Sequence, residues 1–264
     1  MTGEEALLFG LSWEQAAIFV VAGVATGIVN TLAGSGSLVT LPIFVFICGL
    51  PAPVANGTNR IGVLFQSASA LWMYRGTGKL RLEGSLRPVL AALAGALVGS
   101  QLAAGLNEAT MNLVLASLML FMLVVLLARP SRWLHDQSVS IARSRSPLSA
   151  AAFFAIGVYG GFIQAGVGIF LLAALVLIAR HTLSSGNAIK LLVVAAYSIP
   201  TLIIFYVHDQ VHVGFGLSMA VFQSVGAWIG VKYVVGMPRA DVWIHRLLIV
   251  MVAAAAVKFL LESM

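Results

Sequence analysis

"GIVNTLAGSGSLVTLPIF", Gly27–Phe44, is the stretch on which the reading of this chain turns. It breaks a long apolar run with Asn30, Thr31 and the cluster Gly34-Ser35-Gly36-Ser37, yet it carries no charge. Around it the chain stays free of Asp, Glu, Lys and Arg from Gln15 to Asn59. Such a run suits membrane-spanning helices, which need about 20 apolar residues each. The Gly/Ser cluster predicts that one helix stops near Ala33 and a short one starts near Ser37.

The composition agrees. The 264 residues are 60% hydrophobic and 9% charged, with mean hydropathy +1.01. A soluble domain carries roughly a quarter charged residues. The fold class is therefore an all-α polytopic membrane protein. A porin-like barrel would show short alternating segments rather than continuous apolar ones. The net charge of +6 does not indicate nucleic acid, because the basic residues collect in short loops where they set orientation. The first charges are Glu4, Glu5 and Glu14, so no cleavable signal peptide with a basic start is expected. The one cysteine, Cys48, reads as a small buried hydrophobe and permits no internal disulfide.

Ten apolar segments follow, at about 13–33, 37–49, 53–75, 85–106, 109–128, 148–165, 168–180, 184–207, 213–235 and 240–261. The second and seventh are short: about 13 residues cover about 20 Å against a hydrocarbon core of about 30 Å. They read as half-helices, broken or re-entrant. If each segment counts as one crossing, three basic loops share one side: Arg75/Lys79/Arg81/Arg87, Arg129/Arg132/Arg143/Arg145 and Lys232/Arg239/Arg246. The positive-inside rule makes that side cytoplasmic, in a multi-pass protein of the cell (inner) membrane with both termini outside.

The halves resemble one another. "VYGGFIQAGVGIFLLAAL" (Val158–Leu175) matches the opening stretch with Gly166/Gly168 on Gly34/Gly36. "SGNAIK" (Ser185–Lys190) matches "ANGTNR" (Ala55–Arg60), with Asn187 near Asn56 and Lys190 on Arg60. The domain reading is an N-terminal tail 1–12, a first repeat 13–128, a basic cytoplasmic linker 129–147 and a second repeat 148–264. Five crossings per half make the second repeat inverted in topology, an arrangement that in transporters places the site at the repeat interface.

Arg60 and Lys190 carry the chemical question. A charge at membrane depth costs at least about 2.5–3.5 kcal/mol and marks a functional position. The nine acidic residues all fall at or beyond predicted helix ends, so no carboxylate is expected in the membrane core. A transported anion is the simplest missing counter-charge, and the guanidinium fork suits an oxyanion. The alternative is a cation bonded to helix-end carbonyls or reaching the headgroups. Asn56, Thr58 and Asn59, after Pro51 and Pro53, read as cap and turn residues of a helix whose N–H groups would face the site. Gly34, Ser35, Gly36 and Ser37 read the same way for the short segment, with a packing break as the equal alternative. Asn30 and Thr31, one turn earlier, could line the same cavity; Gln164 is the mirror partner beside the second Gly-x-Gly. Gln66, Gln101 and Gln223 read as inter-helix hydrogen bonds. If the short segment before it crosses fully, Arg60 becomes a vestibule charge.

At these residues the chain resembles the sulfite exporter TauE/SafE family. The resemblance lies in "GIVNTLAGSGSLVTLP", "ANGTNR", "YRGTGKL" (Tyr74–Leu80) and, more loosely, "GVYGGFIQAGVGIF" (Gly157–Phe170), and it covers essentially the whole chain. It implies transport of a small anion such as sulfite, an organosulfonate or a carboxylate. An anion channel and a non-transporting scaffold are the competing readings. An intramembrane enzyme would need a zinc, serine-elbow or paired-aspartate motif, and the sequence has none. No cofactor or metal is expected. The expected partners are the anion and the lipid bilayer, with a homodimer as the protein partner considered. Without intramembrane carboxylates, no carboxylate-based cation-coupling site is expected.

Overall fold

The structure is a computed structural model that describes residues 11–76, 85–128, 146–234 and 240–263. Several residues of the basic loops, among them Lys79, Arg81, Arg129 and Arg239, lie outside the described residues, as does most of the linker 129–147. Among the described residues the structure is all-α, with ten helices where ten segments were expected. In order they are α1 (Trp13–Ala33), α2 (Ser37–Pro42, continued by a widened turn Ile43–Ile47), α3 (Ala52–Gly76), α4 (Leu86–Ala104) and α5 (Glu108–Leu127). The second set is α6 (Pro147–Phe162), α7 (Val167–Ala173, continued by Ala174–Ile178), α8 (Leu183–Val207), α9 (Val213–Ile229, continued by Gly230–Val234) and α10 (Ala240–Ser263). By length and composition α1, α4, α5, α8 and α9 can cross a membrane. α3, with 25 residues, is as long as α8 but carries the polar run Asn56–Arg60.

Local chemistry starts these helices. Ser12 and Gln15 form a reciprocal capping box on α1. Asn107 caps α5, Ser146 precedes Pro147 at the start of α6, and Thr182 caps α8. One expectation fails here. α3 begins at Ala52, so Asn56, Thr58 and Asn59 lie inside it rather than at its cap. Pro51 and Pro53 explain this: proline fits the first turn, so the helix starts before the polar cluster.

The short helices end alike. Cys48 N–H bonds Ile43 O and Leu50 N–H bonds Phe44 O; Ala179 N–H bonds Ala174 O and His181 N–H bonds Leu175 O. Gly49 and Arg180 both adopt positive φ, at 64° and 59°. Wide 6→1 closure with a left-handed residue terminates a helix sharply. Each pair of equivalent residues is 131 positions apart, and Pro51 and Thr182, where α3 and α8 start, keep that interval. This corrects the sequence alignment. Asn187 does match Asn56, but Lys190 matches Asn59, and Arg60 matches Leu191. The glycine pairs shift too: Gly34 and Gly166 have positive φ but lie one position out of this register.

The halves interlock. α1 packs on α9 and α6 packs on α4 through Gly-xxx-Gly rows, which allow backbones to approach closely. Gly95 and Gly99 of α4 lie against Phe154 and Val158 of α6, and Gly226 of α9 lies against Val24 of α1. α3 and α9 run parallel, since Gly57 meets Gln210, Ile61 meets Gly216 and Gly62 meets Gln223. α3 and α8 run antiparallel: Gly57 touches Phe205 while Tyr74 reaches Asn187. The outer surface is apolar, with Val21, Trp72, Leu113, Val124 and Val250 well exposed, as a lipid-facing surface requires.

A first expected outcome concerns that packing. A Cβ on Gly161 would collide with the backbone of Ala96. Gly161→Ala is expected to lower the melting temperature in detergent, at a cost of about 1–3 kcal/mol. Gly105→Ala, where no atom lies nearer than 3.8 Å, is expected to leave it unchanged. Equal effects at both positions would count against this helix contact.

Candidate functional site

The two chain breaks meet beside the middle of α3. α1 ends at Gly34, whose φ of 70° suits glycine, and Gly34 N–H bonds Asn30 O at 2.9 Å. The Asn30 side chain organises the return: its Oδ1 accepts from Gly36 N–H at 3.2 Å, and its Nδ2 donates to Gln66 Oε1 at 2.9 Å. In the second half Gln164 Nε2 donates to Ser198 Oγ at 3.1 Å and to Tyr197 Oη at 3.4 Å. Gly168 N–H donates to Gly34 O at 3.1 Å, so the breaks touch through backbone. A side chain at either glycine would hold them apart.

Between these breaks, α3 and α8, lies a small cavity of about 10 Å³, room for about one water molecule. Asn30, Ser37, Ser67, Gln164, Gly168 and Lys190 are among its walls. Lys190 is 1% exposed, and its Nζ makes no hydrogen bond to any described residue. Ser67 Oγ and Gln164 Oε1 are likewise buried without a partner. The described acidic side chains Glu14, Glu108 and Asp209 are all exposed, at helix ends or in the turn after α8. Asp241 and Glu262 sit on the end turns of α10. The ammonium therefore faces neutral donors and acceptors, with no described carboxylate buried beside it.

Arg60 is 0% exposed but does not line this cavity. Its guanidinium grips the end of α6: Nη1 donates to Gly160 O at 2.6 Å, and Nη2 to Gly161 O at 2.9 Å and Phe162 O at 3.4 Å. The Phe205 ring lies 5.1 Å from its Cζ. A helix C-terminus carries about half a negative charge on its free carbonyls, so it serves as a counter-charge. Bonding to helix-end carbonyls, one of the sequence readings of Arg60, is present here, while its Nε makes no bond to any described residue.

The other expected site residues fall into place around these two cations. Asn56 Nδ2 donates to Phe162 O at 2.9 Å, and Asn187 Nδ2 to Thr31 O at 3.3 Å and Tyr74 Oη at 2.8 Å. Thr31 bonds back to Gly27 O along its own helix. Thr58 Oγ1 accepts from His212 N–H at 2.8 Å, and Asn59 Oδ1 accepts from Thr40 Oγ1 at 2.6 Å. Ser35 is buried in the first break with its hydroxyl unpartnered. Of the three glutamines, Gln66 makes the expected inter-helix bond, Gln223 is buried against Gly62, and Gln101 is exposed. Two polar residues escaped the sequence reading, Ser67 in the cavity wall and Tyr197 behind it. Ser67 stands seven residues after Arg60, and Tyr197, which holds Gln164, seven after Lys190; that interval is two helical turns on one face.

Long apolar helices surround a small cavity lined by Lys190 between two broken helices, an arrangement that fits a membrane transporter. The chain belongs to the sulfite exporter TauE/SafE family, whose model matches residues 19–259. It is 26% identical over 252 residues to the probable membrane transporter protein ORF9 of a Sinorhizobium species, covering 96% of this chain and 95% of that one. It is 24% identical over 246 residues to the probable membrane transporter protein YfcA of Escherichia coli K12, covering 93% and 89%. A probable membrane transporter protein of Haemophilus influenzae matches at 22% over 235 residues, covering 89% and 90%. No solved structure matches the chain.

Proposed function

We propose that the protein carries a small sulfur-containing anion, such as sulfite or an organosulfonate, across the cell inner membrane, and that Lys190 Nζ binds it. The observation that carries this reading is an ammonium 1% exposed with no hydrogen-bond partner among the described residues. A transported anion would neutralise it, with Ser67 and Gln164 offering the neutral contacts. Export of a monovalent anion is favoured by an inside-negative potential, by about 2.3 kcal/mol per charge per 100 mV. The parallel run of α3 and α9 puts Arg75 and Lys232, near their C-terminal ends, on one face, which supports a cytoplasmic assignment for that face.

We also infer that the halves are inverted repeats. Support comes from the constant register, the antiparallel α3 and α8, and the reciprocal bonds Asn56–Phe162 and Asn187–Thr31, whose members shift by the same interval. Contacts exchanged in that way are the mark of a two-fold arrangement.

The test is a thermal-shift screen in detergent with sulfite, sulfate, thiosulfate, sulfoacetate, taurine and small carboxylates. A ligand bound at 100 times its Kd adds about 2.7 kcal/mol to stability. The expected result is a rise for at least one anion that disappears in Lys190→Gln. A rise of unchanged size in a folded Lys190→Gln protein overturns the assignment.

A further inference from the structure

The cavity is flanked along α3 by two helix ends closed in the same manner. On one flank the C-terminus of α6 is held by Asn56 and Arg60. On the other the C-terminus of α1 is held by Asn187, itself braced by the Tyr74 hydroxyl. Asn56 lies about 16 Å before Ser67 along α3, and Tyr74 about 10 Å after it, at 1.5 Å per residue. Each latch joins one half to the other: α3 to α6, and α8 to α1. Neither belongs to the cavity wall.

We propose that these are the two gates of the carrier, which open alternately to give the Lys190 cavity access to opposite sides of the membrane. The assignment rests on the chain's being a transporter but not on which anion it moves. Both latches are made here, and the cavity between them has room for about one water molecule, the arrangement expected with both gates shut. The latches are unequal. The α6 end receives four hydrogen bonds, three of them from a guanidinium and one, to Gly160 O, at 2.6 Å. Among the described residues the α1 end receives two neutral bonds from the other half, the Asn187 amide on Thr31 O at 3.3 Å and Gly168 N–H on Gly34 O at 3.1 Å. Bonds from charged donors are roughly twice as strong as neutral ones. The Asn187 gate is therefore the weaker, and the resting protein opens there more often than at Arg60. The asymmetry follows from register: the position equivalent to Arg60 in the second half is Leu191, which brings no guanidinium to the end of α1.

The test is side-specific thiol labelling. Cys48, the only cysteine, is replaced by Ala, and Ser67→Cys in the cavity wall is the reporter. The protein is reconstituted in one orientation and treated from either face with a membrane-impermeant methanethiosulfonate. Asn187→Ala is expected to speed modification roughly tenfold from the Asn187 face alone, the effect of about 1.4 kcal/mol in the opening equilibrium. Asn56→Ala is expected to speed it from the Arg60 face alone and by less, since Arg60 still holds the helix end. Should either variant fail to fold, Tyr74→Phe and Arg60→Lys read the same two gates. Acceleration from one and the same face for both latches, or unchanged labelling in folded variants, overturns the proposal. Labelling needs no substrate, so a failed anion screen leaves this result standing.

Discussion

Lys190→Met is expected to melt above the parent protein and to lose nearly all anion flux. The two effects share one cause. Lys190 buries its amine at 1% exposure, and no described carboxylate, hydroxyl or carbonyl bonds it. A lysine at membrane depth costs about 2.5–3.5 kcal/mol. Methionine fills a similar volume with a flexible, apolar chain. Replacing even a buried ion pair by hydrophobic groups of similar volume is often neutral or stabilising by about 1–4 kcal/mol, and a cation without a counter-ion has less to lose. The expected gain is about 1–3 kcal/mol by the same comparison. Flux in proteoliposomes is expected to fall by about a hundredfold or more, the size of effect that about 2.7 kcal/mol of lost binding gives. Functional sites commonly carry such a stability cost. A Lys190→Met protein that melts well below the parent would show that the ammonium has a structural partner, and one with unchanged flux would remove it from the site.

Arg60→Met is expected to act in the opposite direction on stability. Its removal leaves Gly160 O and Gly161 O without the donors they now have, in a place where Arg60 itself is 0% exposed. A buried acceptor left unsatisfied costs about 1–3 kcal/mol. The expected result is a sharp loss of folded protein in fluorescence-detected size exclusion, with Arg60→Lys recovering part of it. Lysine keeps the charge but not the planar fork that meets two carbonyls at once. Two cations that look alike in the sequence are thus expected to differ in sign: one stabilises the fold, the other burdens it. A freely folding Arg60→Met protein that merely loses anion binding would return Arg60 to the substrate.

The difference was not legible in the sequence for a physical reason. The partners of Arg60 are backbone carbonyls, which every residue carries, and they are special only because α6 ends there. Where a helix ends in space relative to another half of the chain leaves no mark in residue types. The interval between the matching helix ends was misread for a similar reason. In apolar stretches, alignments differing by one residue score alike, but one residue turns a helix by 100° and moves a side chain to another face. Matching Lys190 with Arg60 therefore suggested a symmetric pair, whereas the hydrogen-bonded turns at Cys48 and Ala179 place Lys190 on the Asn59 face.

By itself the sequence determined the class of protein, the ten apolar segments, the two short broken ones and the two charges that had to be explained. Those follow from composition and from the length of uncharged runs, because the bilayer sets a simple rule for both. Only the tertiary structure showed which cation has hydrogen-bond partners. It brought the α6 terminus onto Arg60, left Lys190 facing Ser67 and Gln164, and joined the two breaks at Gly34 and Gly168. Pairing between residues about a hundred positions apart, as from Arg60 to Gly160, depends on how the helices pack, and a cation's role at membrane depth depends on that pairing.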